Sequence, residues 1–215
     1  FPVGRINLLV KSAILHDIGA LKLQQLPDAE DLDDGTKEVV KKNTQETLDR
    51  YGDLDEEVLR LITQMQELYT RESDAEIPAG LKESVNANIL YVADAYDRMT
   101  AMKSFEEPTS EVKAVRELLA DEERYNKKIV NALIHGISIL YPGVCVELSN
   151  GEKGLVITEN EDNIFEPTVL DFRNNNLYDL SDPSVKQTIE IADVMKTMDN
   201  RIKLDKSLLE EYQAN

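Results

Sequence analysis

Two arrangements in this 215-residue chain carry side chains that could do chemistry together. The first is His16-Asp17, which closes the apolar run Ala13-Ile14-Leu15 and is followed by Ile18-Gly19. An imidazole nitrogen and the neighbouring carboxylate can ligate one transition metal, or the carboxylate can bridge two. Taken alone, such a pair is as readily a helix-end histidine hydrogen-bonded to its acid. The second is Asp94, within Tyr91-Val92-Ala93-Asp94-Ala95-Tyr96-Asp97-Arg98-Met99-Thr100, where apolar neighbours would bury it. A buried carboxylate is costly unless it is paired or metal-bound. Asp97 follows three residues on, so one helix face could present both acids. Spacing alone slightly favours an ion pair tying helices together, Asp97–Arg98 or Asp94–His16.

Little else competes. The chain has two histidines, and the second, His135, lies inside an apolar helical run and reads as structural. There is no Gly-rich phosphate loop and no Ser-His arrangement of triad type. The Glu56-Glu57, Glu106-Glu107 and Glu122-Glu123 pairs read as solvated surface. The single cysteine, Cys145, excludes an intrachain disulfide and reads as a buried strand residue.

The elements that must position these groups are mostly helical. Residues 5–15 form a helix with a broad buried face (Ile6, Leu8, Leu9, Val10, Ala13, Ile14, Leu15). An acidic loop from Pro27 to Gly35 feeds the next helix, whose positive N-terminal end suits its carboxylates. That helix runs over 36–50, with Val39, Val40 and Leu48 inward, and ends near Gly52. Another covers 55–72 (Val58, Leu59, Leu61, Ile62, Met65, Leu68). After a polar break at 73–80, residues 83–103 give the clearest helix, with Val85, Ile89, Val92, Ala93, Tyr96, Met99 and Thr100 at three-and-four spacing. Helices at 109–120 and 125–139 follow before Leu140. At Tyr141-Pro142-Gly143 the period changes from 3.6 to 2. Val144 to Leu148 and Leu155 to Ile157 flank Asn150-Gly151-Glu152, a hairpin signal. Val169 to Phe172 and Leu177 to Leu180 form a second hairpin, Ile189 to Ile191 a further strand, and Leu204 to Tyr212 a closing helix. The expected fold is therefore mostly α, a helical domain at 1–140 followed by a small antiparallel β unit with a closing helix at 141–215.

A net charge of −18 opposes binding to a phosphate backbone, so nucleic acid is not an expected partner. It also disfavours an anionic membrane surface, and an anionic ligand would need a local basic pocket. No apolar run has the length of a membrane span. The opening Phe1-Pro2-Val3-Gly4-Arg5 is no signal peptide and has no initiator methionine, which suggests a piece of a longer protein. A cytoplasmic location is expected.

Ala13-Ile14-Leu15-His16-Asp17-Ile18-Gly19 resembles the HD-superfamily signature, and Ile89 to Thr100 resembles the helix that supplies the last metal-binding aspartate in HD-GYP proteins, the cyclic di-GMP phosphodiesterases. Tyr141-Pro142-Gly143 through Gly154-Leu155-Val156 resembles the short β extension that often ends such proteins. The resemblance spans about 10–180. It implies an HD-superfamily helical domain whose metal site would include His16, Asp17 and Asp94, and whose N-terminal helices lie upstream. It also implies departures. The family's phosphate-contacting lysine falls on Ala20, and a metal-ligand histidine falls on Asn43. The paired histidines expected within Ile62–Thr70 are absent. The Gly-Tyr-Pro motif reads Glu76-Ile77-Pro78, and the nucleotide-gripping cations read Lys103 and Glu106.

These departures lead to the expectation of a catalytically impaired HD-GYP-like module in bacterial signalling, acting through other signalling proteins or domains, with a homodimer left open. No catalytic residue is assigned. No cofactor is expected beyond, at most, one weakly held divalent ion (iron, manganese or zinc) at a vestigial His16/Asp17/Asp94 set. The alternatives are a residual metal-dependent phosphohydrolase and a non-hydrolytic nucleotide sensor. The reading leans away from an enzyme, and any activity would be phosphodiesterase activity of the HD-GYP type.

Overall fold

The computed structural model describes residues 2–23, 33–51, 53–71, 76–102 and 107–195. Among the described residues, the chain is mostly helical in its first part, and a small antiparallel sheet follows. It divides into two compact units: residues 1–108 with 118–130, and residues 109–117 with 131–215. No helix among the described residues is long and apolar enough to cross a membrane.

The first unit is built from α1 (Val3–Leu15), a 3₁₀ turn at Ile18–Lys22, α2 (Asp34–Arg50), α3 (Glu56–Thr70), the single turn α4 (Ala79–Lys82) and α5 (Val85–Thr100). Local chemistry fixes the starts. The Asp33 carboxylate accepts from the Thr36 amide and caps α2, and Asp55 accepts from the Glu57 amide and caps α3. Asp34, Glu56 and Glu57 then sit in the first turns, where the helix dipole favours them. α3 is the most sharply two-sided of these helices, and it buries Val58, Leu61, Ile62, Met65 and Leu68. Around it pack Leu48 of α2, Leu8 and Leu15 of α1, and Ile18 of the 3₁₀ turn. Asn88, buried in α5, donates to the carbonyls of Leu81 and Ser84 and so ties α4 to α5.

Two helix faces differ from those expected. In α1 Val3, Ile6, Val10 and Ile14 are 74%, 47%, 51% and 69% exposed, and Ser12 is the one buried residue. The helix is apolar on both sides, so periodicity could not say which side faces α3. In α5 the buried set is Ala87, Asn88, Leu90, Tyr91, Val92 and Ala95. Val85 and Ala93 are exposed and Ile89, Tyr96, Met99 and Thr100 are half-buried, because small and polar residues (Ala87, Asn88) occupy the tight face. Val39 of α2 is likewise exposed while Val40 and Leu48 are buried. Leu59 of α3 is half-buried.

α6 (Glu111–Ala120) and α7 (Lys127–Ile137) follow, and the division between the units falls within them. With these, seven α-helices precede Leu140 among the described residues. In the second unit β1 (Cys145–Leu148), β2 (Lys153–Thr158), β3 (Thr168–Asp171), β4 (Leu177–Asp179) and β5 (Ile191–Val194) form one antiparallel sheet in the order β4-β3-β2-β1-β5, with a helical turn α8 (Pro183–Lys186) before β5. The β1–β2 register pairs Cys145 with Leu155 and Glu147 with Lys153. Gly151 takes the positive φ (81°) that this hairpin turn requires. The last strand begins at Ile191 rather than at Ile189; it lies on the sheet edge beside β1, where the Arg116 guanidinium donates to the Ile191 carbonyl. Cys145 is half-buried rather than buried, and burial pushes its thiol pKa up. The expected helix at Leu204–Tyr212, Gly52, and most of the Pro27–Gly35 loop lie outside the described residues.

Candidate functional site

α1 ends at Leu15, and His16 turns its ring toward α5. Nδ1 lies 2.7 Å from the Ala13 carbonyl, which can only accept, so Nδ1 carries a proton. Nε2 lies 3.3 Å from Oδ1 of Asp94. Both side chains are 18% exposed. Burial pulls the His16 pKa down, but the Asp94 hydrogen bond, the charges of Asp94 and Asp17, and the Ala13 carbonyl outweigh it, and the net direction is upward. The pairing thus favours the protonated form of the His16 ring beside Asp94.

The second carboxylate oxygen is also engaged. Arg98, one turn further along α5, brings Nε to 3.0 Å from Asp94 Oδ2. The contact is not aligned as a hydrogen bond, so its attraction is ionic. The Arg98 guanidinium in turn stacks 4.4 Å above the Tyr69 ring of α3. From the same helix, buried Gln66 donates from Nε2 to the His16 carbonyl at 2.8 Å. Asp94 thus lies between the His16 ring and the Arg98 guanidinium, and the turn holding His16 is tied to α3. A cavity of about 220 Å3 opens beside the pair, lined by Ala13, His16, Met65, Leu90, Ala93, Asp94 and Asp97.

The structure brings His16 and Asp94 together, one of the two ion pairs that spacing had suggested. The other, Asp97–Arg98, is replaced by Asp94–Arg98. Asp17 is not drawn in: its side chain is 63% exposed and its nearest oxygen is 3.9 Å from His16 Nδ1. Ala20 lies half-buried in the 3₁₀ turn. Asn43 Nδ2 donates to the Gly19 carbonyl at 3.4 Å, and Thr44 Oγ1 accepts from the Gly19 amide at 3.0 Å, so this part of α2 holds the 3₁₀ turn. Glu76 is exposed, Ile77 half-buried, and Pro78 is the N-cap residue of α4. Lys103 and Glu106 lie outside the described residues. His135 is exposed on α7. Among the described residues, no group of three or more His, Cys, Asp or Glu side chains is arranged to hold a metal ion.

Sequence reasoning missed the pairing of Arg98 with Asp94, and it missed Gln66 and Tyr69. The first had a signal, since Asp94 and Arg98 stand four apart on one helix face. Gln66 and Tyr69 had none, because their partners are 50 residues away in His16 and 29 residues away in Arg98.

The structure thus sets the histidine that closes α1 against an aspartate on the later helix α5. Residues 3–99 match the family model of the HD domain. That part of the chain is therefore similar to an HD domain, and the match supports a place in the HD superfamily. No curated protein matches the chain.

Proposed function

We propose that this chain is a catalytically impaired, HD-GYP-like regulatory module that acts through contact with other signalling proteins or domains. The observation that carries the reading is the closure of Asp94 between His16 and Arg98. An aspartate that is to ligate a metal needs a free oxygen, and a ligating histidine needs an unprotonated nitrogen. Here one oxygen faces the His16 ring and the other the Arg98 guanidinium. Arg98 supplies the positive charge that a divalent ion would otherwise bring to this carboxylate. The described donor set therefore does not fit a two-metal hydrolase centre, and no hydrolytic step is assigned.

The acidic balance and the residues at the implied phosphate-contacting positions weigh against a cyclic di-GMP sensor as well. Ala20 offers no cation, and Glu106 would oppose a phosphate that Lys103 attracts. The second reading, a residual phosphohydrolase, draws support from the HD domain match itself. The experiment that separates them is turnover of bis(p-nitrophenyl) phosphate and cyclic di-GMP with added manganese or iron. Our reading expects no metal-dependent turnover above the buffer rate; turnover that Asp94→Ala abolishes would establish the phosphohydrolase.

A further inference from the structure

We draw no further inference here: the strongest candidate, the surface cavity of about 410 Å3 that His135, Tyr141, Glu159 and Glu161 line beside the end of α7, rests on a pair of exposed carboxylates, and among the described residues no polar side chain lining it is buried to point to a ligand.

Discussion

Removal of the Asp94 carboxylate is the perturbation with the clearest consequences. In Asp94→Ala the His16 ring loses its partner at 3.3 Å and Arg98 loses its partner at 3.0 Å, both in surroundings where Asp94 is 18% exposed. Breaking a fully buried pair costs about 3–5 kcal/mol, because the remaining charge is left uncompensated. With partial solvation and the Tyr69 ring still beneath Arg98, the expectation here is about 2–3 kcal/mol, or roughly 5–10 °C in the unfolding midpoint. The loss has a pH signature. The His16 pKa is raised in the folded state, so the stability it contributes is fully present below the unfolded value near 6.5 and lost as pH rises through the higher folded value. The gap between native chain and Asp94→Ala should therefore be widest near pH 6 and narrow toward alkaline pH. Without Asp94, burial dominates the His16 environment, and its titration should move down. Thermal unfolding across pH, with histidine NMR titration, reads both effects; the spectrum contains two histidines and His135→Gln assigns them. An unchanged midpoint together with an unchanged His16 titration would refute the reasoning.

Gly19→Ala should be severely destabilising, by about 3 kcal/mol or more, because the added Cβ would lie 2.3 Å from both the Thr44 amide nitrogen and the Val40 carbonyl oxygen of α2; urea unfolding measures it. Ser12→Ala should be neutral or stabilising by up to ~1 kcal/mol, since Ser12 Oγ is buried without a hydrogen-bond partner, and the same unfolding curve checks the sign. Asp193 is held below its ordinary pKa: burial opposes this, but hydrogen bonds from Lys113, Ser110 and the Val194 amide outweigh it. Its contribution to the sheet unit is present above the unfolded carboxylate value and lost as pH falls through the lower folded value, so Asp193→Asn should flatten the acid limb of the stability profile.

The type and approximate span of most described elements were legible because their signals are local. Asp33 and Asp55 announce helix starts, Gly151 a hairpin, and the change of period at Tyr141-Pro142-Gly143 the end of the helices. Facing directions were less legible. α1 offers apolar residues on both sides, and α5 buries Ala87 and Asn88 where a hydrophobic pattern points to Val85 and Ile89. The His16–Asp94 pair could be named because a histidine after an apolar helix and an aspartate in one both require partners. That Asp17 faces solvent while Arg98 takes the other oxygen of Asp94 depends on how the chain turns after Leu15, which residue spacing does not encode.

On the proposed reading, His16 and Asp94 form a pair closed by Arg98 where a metal would otherwise be held. Elemental analysis of the protein, purified without chelator and then dialysed against iron, manganese and zinc in turn, tests it most directly when His16 is followed by NMR in the same samples. The account predicts far less than one equivalent of bound metal and a His16 ring that stays protonated at neutral pH. Two equivalents of metal per chain, with His16 deprotonated and shifted on loading, would contradict it.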